Sequence, residues 1–270
     1  MSTWVIGDVQ GALEPLERLL EALDYASGRD RIVLAGDLVN RGPDSAGVLR
    51  WAAGEGEAVT AVLGNHDVHL LACAEDPSQI RKKDTLGDVL SAPDRDRLVT
   101  WLAERPFWID LPGHIVVHAA VHPAWTLDEG RALAAECSAA LAGSDGSKIL
   151  STWRTGTGRW DPGADPIPRA TTTLAALTRM RCVTSDHTQD FTYSGPLVGL
   201  PQGLTPWFRA RSREADDPTI CFGHWARMGH RIEPGYVALD SGAVYGRELT
   251  AYRIDDGRIV QVPGLTHLPE

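Results

Sequence analysis

Lysine is nearly missing from this chain: 3 lysines stand beside 23 arginines, so its positive charge is almost all guanidinium. The 26 basic residues are outnumbered by 36 acidic ones, which leaves a formal charge of −10 with no block of like charge standing out. A net acidic surface argues against nonspecific binding to nucleic acid or to an anionic membrane. An anionic substrate would need metal ions or arginines to reverse the field locally. A GC-rich coding bias explains the arginine excess more simply than phosphate binding does. Cysteine is also scarce. Cys73, Cys137, Cys182 and Cys221 form no CxxC pair, which excludes a zinc knuckle and leaves four thiols expected to be reduced and mostly buried. No apolar run approaches the about 18 residues needed to cross a bilayer. Met1-Ser2-Thr3-Trp4 carries no basic segment ahead of an apolar one, as a signal peptide would. A cytoplasmic protein without membrane contact is expected.

The remaining composition is that of a globular chain. Over 270 residues, 43% are hydrophobic and 23% charged, enough for a large core and too much for a disordered chain. Short apolar runs alternate with helical patterns in the first third. Trp4–Ile6, Ile32–Ala35 and Val59–Leu63 read as strands, and the leucines from Leu13 to Leu23 recur at helical spacing. Further helices are expected near Ser45 and after Asn65. This βαβαβ order implies a parallel sheet with helical crossovers. Residues 68 to 110 read as helical and polar, Ile115–Val117 as a strand, Thr126 to Leu141 as a helix, and 143–170 as loop. Strands return at Thr219–Phe222, Tyr236–Leu239, Leu249–Ile254 and Arg258–Val262, with Asp255-Asp256-Gly257 as a hairpin turn between the last two. No repeat or long linker divides the chain, so a single domain over 1–270 with loop insertions is the simpler reading.

The informative residues follow the strands. The first strand ends Gly7-Asp8-Val9-Gln10-Gly11, the second Gly36-Asp37-Leu38-Val39-Asn40-Arg41-Gly42, and the third Gly64-Asn65-His66-Asp67. His118 follows the fourth and Gly223-His224 the fifth. In open α/β sheets ligands bind beyond the carboxyl ends of the strands. Five strand ends therefore deliver oxygen and imidazole donors to one edge. That mixture suits a borderline divalent ion such as Mn²⁺, Fe²⁺, Co²⁺ or Zn²⁺. The candidates Asp8, Gln10, Asp37, Asn65, His118 and His224 exceed one tetrahedral ion and fit two ions sharing a carboxylate, a centre that clamps a phosphoryl group for in-line displacement. Each piece alone reads as an ordinary turn, cap or structural histidine; Asn65 or Asp67, for instance, could simply cap a helix. The conjunction is specific: GDxxG, GDxxxRG 29 residues on, GNHD 28 residues later, then two downstream histidines.

With these motifs the chain resembles the calcineurin-like metallophosphoesterases of the phosphoprotein-phosphatase branch. It is most similar to the bacterial symmetrical bis(5′-nucleosyl)-tetraphosphatases. Leu63–Leu71, Thr178-Arg179-Met180-Arg181, Pro206-Trp207-Phe208, Phe222–Ala226 and Ala238–Gly242 carry the narrower resemblance. It implies a four-layer αββα sandwich with helical and loop insertions and a dimetal site at its edge. By position it places one metal on Asp8, Gln10 and His224 and the other on Asn65 and His118, with Asp37 bridging. The ions implied are two, Mn²⁺ first, with Co²⁺, Mg²⁺, Fe²⁺ or Zn²⁺ as alternatives. His66 matches the non-ligand histidine that protonates the leaving oxygen, and Arg41 the phosphate-gripping arginine.

Three residues depart from the family pattern. Gln10 replaces a ligand histidine and is a weaker donor. Asn40 replaces the aspartate that partners the catalytic histidine in protein phosphatases, leaving Asp67 as a possible substitute. Ala120 replaces a common glycine. The implied reaction is hydrolysis of diadenosine tetraphosphate to two ADP by a dimetal-bridging hydroxide, with removal of nucleoside-tetraphosphate caps from RNA as a further activity. Arg179 and Arg181 are candidates for the distal phosphates. One of Trp153, Trp160, Trp207 and Trp225 could stack on a nucleobase, although packing suits each better. His69, His114, His122, His187, His230 and His267 read as structural. The alternatives are a Ser/Thr phosphoprotein phosphatase on the same dimetal site, disfavoured by Asn40, and a degenerate binding module, motivated by Gln10.

Overall fold

The computed structural model describes residues 2–155 and 158–266, so His267 lies outside the described residues. Its strands in chain order are β1 (Thr3–Ile6), β2 (Arg31–Leu34), β3 (Val59–Ala61), β4 (Ile109–Leu111), β5 (His114–Val116), β6 (Cys182–Val183) and β7 (Gln189–Asp190). They continue as β8 (Thr205–Pro206), β9 (Thr219–Phe222), β10 (Arg231–Glu233), β11 (Tyr236–Ala238), β12 (Glu248–Arg253) and β13 (Ile259–Pro263). Two five-stranded sheets form, in the orders β13-β12-β1-β2-β3 and β10-β11-β9-β5-β4, with a small β7-β6-β8 sheet beside them. The C-terminal hairpin completes the N-terminal sheet, pairing Val5 with Tyr252 antiparallel. Its turn forms at the expected residues, where the Gly257 N–H returns to the Arg253 carbonyl.

Strand alternation builds the layers, because successive side chains point to opposite faces. Val5 and Val33, with Ala35 and Val62 just beyond their strands, turn inward against Leu111, Val116, Cys221, Val237 and Leu239 of the second sheet. Their neighbours Trp4, Ile6, Ile32 and Leu34 turn outward to the helices α1 (Leu13–Ala22) and α2 (Ser45–Gly54). On the far side, Ile115, Val117, Ile220 and Phe222 belong to the outer core together with the buried residues of α6 (Leu127–Ala142) and α8 (Pro166–Arg179). The remaining helices are α3 (Asn65–Glu75), α4 (Gly87–Leu90), α5 (Arg95–Ala103), α7 (Gly146–Thr152) and α9 (Trp207–Ala210). The arrangement is a four-layer αββα sandwich.

One expectation fails here. Residues 143–170 are only partly loop: α7 lies inside the segment and α8 starts within it at Pro166, while the other described residues there carry no helix or strand. Proline is tolerated in a first helical turn, where its missing N–H has no partner to lose. Two threonines of α8 return hydroxyls to the helix backbone, Thr171 to Ile167 and Thr178 to Leu174. Burial of every residue from Ala170 to Thr178 overrides their weak helix propensity. All four cysteines are free and buried, as expected.

Candidate active site

The two sheets share a direction at their centres. β1, β2 and β3 are mutually parallel, and so are β5, β9 and β11. Just beyond the carboxyl ends of these strands lie Asp8, Asp37, Asn65, His118, His224 and, from β11, Asp240. Asp8, Gln10, Asp37, Asn65, His66, His224 and Asp240 line one cavity of about 460 Å³, together with Arg181. The backbone there is unusual. Among the described residues seven non-glycine positions have positive φ, and five of them are Gln10, Asp37, Asn40, Arg41 and His224. Such conformations persist only where surrounding contacts over-determine them, and they concentrate at functional sites. Glycine is required for a different reason at positions 64 and 223. A Cβ on Gly64 would collide with the Asp37 carboxylate, and one on Gly223 with that of Asp8.

The donors are turned as metal ligands are. His118 Nδ1 lies 2.8 Å from the Ala35 carbonyl, so that nitrogen carries the proton and Nε2 keeps its lone pair. His224 does the reverse, with Nε2 2.9 Å from the Arg179 carbonyl and Nδ1 turned inward to the Asn65 side-chain amide at 2.7 Å. An outer N–H fixed by a carbonyl orients an imidazole for a cation. Burial holds the His118 ring neutral by lowering its pKa to about 4, and burial with Arg181 nearby holds His224 well below its usual value. One donor atom each from Asp37, His118 and His224 lie within 4.8 Å of one another. His118 Nε2 is 3.4 Å from both Asp37 Oδ1 and Asn65 Oδ1.

This geometry corrects the grouping expected for His224. Its ring faces His118 and Asp37; only its backbone N–H points to Asp8, at 3.1 Å. Gln10 Nε2 donates to Asp37 Oδ2 at 3.5 Å. Asp240, for which no role was expected, sits beside Asp8. Burial and then the charges of Asp240 and Asp37 drive the Asp8 pKa well up, and burial drives that of Asp37 to about 8. Three buried carboxylates that repel one another, facing two neutral imidazoles, form a donor set that divalent cations stabilise, so the residues present fit the metals the sequence implies.

His66 stands beside this centre on the first turn of α3. Its Nε2 is 4.0 Å from Asp37 Oδ2, and its backbone N–H donates to Asp37 Oδ1 at 2.7 Å. The expected partner, Asp67, does not reach it. Asp67 is fully buried and accepts the backbone N–H groups of Asp37, Leu38 and Gly64 at 2.8–2.9 Å. It caps α3 and fixes the Asp37 turn, which is the capping alternative read from the motif. Asn40 Nδ2 instead donates to His66 Nδ1 at 3.0 Å and to Asp84 Oδ1 at 3.0 Å. Asp84 also takes bonds from His69 Nε2 at 2.7 Å and the Arg81 N–H at 2.7 Å. Burial raises the Asp84 pKa, but the bonds from Asn40, His69 and Arg81 outweigh it and hold the group near 2. Asp84 is the carboxylate behind His66, reached through an amide. Isolated in sequence within KKDT, it gave no signal, and His69 was read as structural.

The arginines also converge. Arg181 lines the main cavity, donates to the His224 carbonyl at 3.0 Å and leaves its buried Nε without a partner. Arg41 and Arg179 line a neighbouring cavity. Two tryptophans line these cavities, Trp225 the main one and Trp153 its neighbour, but both are buried, and the others pack away from them. Trp207 packs among Phe208, Phe222 and Tyr236, Trp160 packs edge-on against Trp125, and the Trp225 indole donates to the Gly195 carbonyl at 2.8 Å. Trp153 is buried beneath two guanidiniums. The aromatic ring open to a ligand at the cavity rim is Tyr245, half exposed at 50%.

Comparison with known proteins agrees with this picture. A family model described as calcineurin-like phosphoesterase matches residues 1–141. Symmetrical bis(5′-nucleosyl)-tetraphosphatases are similar to the chain over nearly all its length. That of Azotobacter vinelandii is 43% identical, covering 95% of each chain. That of Chromobacterium violaceum is 38% identical, covering 97% of this chain and 95% of its own. A crystal structure provisionally assigned as a diadenosine tetraphosphatase superposes with a TM-score of 0.68 at 27% identity, covering 98% of this chain and 95% of the other. A Saccharomyces cerevisiae serine/threonine phosphatase shares the fold at 14% identity and a TM-score of 0.57, covering all of this chain and 82% of the other. The chain belongs to the calcineurin-like phosphoesterase family.

Proposed function

We propose that this member of the calcineurin-like phosphoesterase family hydrolyses dinucleoside tetraphosphates symmetrically, converting diadenosine tetraphosphate and water into two ADP. Its near-full-length relatives are named for that activity. The observation within this chain that supports it is the amide at position 40. Asn40 Oδ1 accepts the N–H groups of Arg41 at 2.9 Å and Thr85 at 3.0 Å, so only Nδ2 can face His66. A donor opposite Nδ1 makes that nitrogen an acceptor and puts the ring proton on Nε2, the edge nearer Asp37. His66 then donates a hydrogen bond and not a full proton, which revises the role expected for it. A nucleoside diphosphate leaves as a stable anion, since phosphates ionise near pH 6, and a hydrogen bond suffices for it. The alkoxide leaving a phosphoserine or phosphothreonine needs a proton outright. The same amide therefore weighs against the phosphoprotein-phosphatase reading.

The family implies divalent cations, and we assign Asp37 as their shared ligand. Asn65, His118 and His224 stand on one flank and Asp8, Gln10 and Asp240 on the other. When bound, such ions polarise phosphoryl oxygens and lower the pKa of water toward neutrality. Mn²⁺ is the ion we propose, with Co²⁺, Mg²⁺, Fe²⁺ or Zn²⁺ as substitutes compatible with mixed oxygen and imidazole donors. Arg41 spends one donor on the Lys83 carbonyl at 2.7 Å and keeps the rest of its planar fork for a phosphate. Arg181 balances charge on the opposite side, and Asp84 and Asn40 hold the His66 ring.

Capped RNA presents the same anhydride on a longer chain, and we propose it as a further substrate. Among the described residues no helix is long and apolar enough to cross a membrane. The four free thiols suit the reducing cytoplasm, where we place the activity. The test is chromatography of products from diadenosine tetraphosphate with added Mn²⁺. ADP as sole product supports the proposal; AMP with ATP overturns symmetric cleavage, and faster turnover of a phosphopeptide overturns the substrate.

A further inference from the structure

A second cavity, of about 160 Å³, opens behind His66. Asn65 and His66 line both cavities, so the two meet at the catalytic histidine. Four arginines, Arg41, Arg81, Arg154 and Arg179, line this small space, and among the described residues that line it Asp84 alone brings a carboxylate. That carboxylate is already occupied by Asn40, His69 and the Arg81 backbone N–H.

Arg154 and Arg179 form no ion pair among the described residues. They are held by ring faces instead, and Arg179 Nη1 also donates to the Arg154 carbonyl at 3.4 Å. Arg154 lies 4.5 Å over Trp153, and Arg179 lies 4.7 Å over Phe191 and 5.5 Å over Trp153. Stacking leaves the in-plane N–H donors of a guanidinium pointing outward. The buried Arg154 Nε has no hydrogen-bond partner among the described residues. Burial and then the charges of Arg81 and Arg179 lower the Arg154 pKa to about 10, and burial and then Arg181 lower that of Arg179. A chain of net charge −10 has thus gathered unpaired, mutually repelling cations at one spot. That arrangement is stabilised when a multivalent anion enters.

We infer that Arg81, Arg154 and Arg179, the last two seated on Trp153, form a subsite for the phosphates beyond the scissile bond on the leaving-group side. The inference rests on the polyphosphatase reading of the adjoining centre. In an in-line displacement the leaving oxygen departs away from the attacking water and toward His66, and the next phosphates of the chain then enter the arginine cavity. A phosphoserine has nothing to place there. The subsite selects polyphosphate chains over phosphomonoesters.

The test compares wild-type protein with Arg154→Gln, Arg154→Lys and Arg81→Gln, each with Mn²⁺. One readout is the ratio of kcat/KM for diadenosine tetraphosphate to that for p-nitrophenyl phosphate. The other is calorimetric binding of inorganic tripolyphosphate to the full chain. Arg154→Gln should lower the ratio 10- to 100-fold and weaken tripolyphosphate binding comparably, the size of one charge-assisted hydrogen bond. Arg154→Lys should recover part of both. Arg81 is exposed, so Arg81→Gln leaves folding intact; it should lower both severalfold. An unchanged ratio with unchanged tripolyphosphate binding in both glutamine variants overturns the subsite, as does an equal loss on both substrates. Failure of the wild-type protein to cleave the tetraphosphate at all refutes the proposed function instead, and tripolyphosphate binding still decides the subsite.

Discussion

Moving the carboxylate from position 84 to position 40 perturbs the hydrogen-bond chain behind His66 in a way the geometry makes quantitative. In Asn40→Asp, an oxygen replaces the Nδ2 that lies 3.0 Å from Asp84 Oδ1. Two unit charges at that distance repel by about 5.5 kcal/mol at an effective dielectric of 20. The pair relieves part of this by sharing a proton, so a loss of about 2–4 kcal/mol of stability at pH 7 is expected. Asp84→Asn fails differently. An amide nitrogen at one position meets the Asn40 donor, and at the other the Arg81 N–H, so no orientation satisfies all partners. Its expected loss is about 1–3 kcal/mol. In the double variant the new amide at 84 donates to the new carboxylate at 40, which still accepts from Arg41 and Thr85. Urea unfolding of all four proteins should give a coupling energy of about 2–3 kcal/mol, with the double variant more stable than the sum of the singles. The double variant should also raise phosphopeptide turnover relative to tetraphosphate turnover, because an aspartate at 40 accepts a proton on Nδ1 and permits a full imidazolium. Additivity within about 0.5 kcal/mol would refute the relay.

Other outcomes follow from the same contacts. His66→Ala should keep its metal by elemental analysis yet lose most tetraphosphate turnover; loss of metal in that variant would make His66 a ligand. Gly64→Ala drives a methyl group into the Asp37 carboxylate and backbone, so metal content and activity should both fall by an order of magnitude or more. Asp84 is held near 2, below the about 3.9 of an unfolded aspartate, so its stabilisation is complete above pH 4 and vanishes as pH falls through 2. The deficit of Asp84→Asn relative to wild type should therefore be largest near pH 7 and shrink between pH 4 and 2, measured as the difference in thermal midpoint.

The ligand edge was legible because each piece lies in a short contiguous motif. A strand must stop before a tight turn, and GD, GNHD and GH place the donor directly after the stop. The outer helices were less so. Pro166, Pro168 and the threonine run Thr171–Thr173 have loop-like propensities, and only their burial in α8 makes them helical. Residues whose role exists solely through distant contacts gave no local sign. Asp84 meets Asn40 across 44 positions, and Asp240 and Arg154 take their roles from partners in other loops. Asp67 misled for the opposite reason. It adjoins His66 in sequence, but on a helix adjacent residues point about 100° apart, and its carboxylate turned to the backbone of residues 37 and 38.

The central claim is that six strand ends assemble one two-metal centre. Anomalous diffraction at the manganese edge, from crystals grown with Mn²⁺, measures it directly. Two peaks are expected about 3.5–4 Å apart, with Asp37 between them, Asn65, His118 and His224 around one, and Asp8 near the other. A single peak, or ions held away from Asp37, would contradict it.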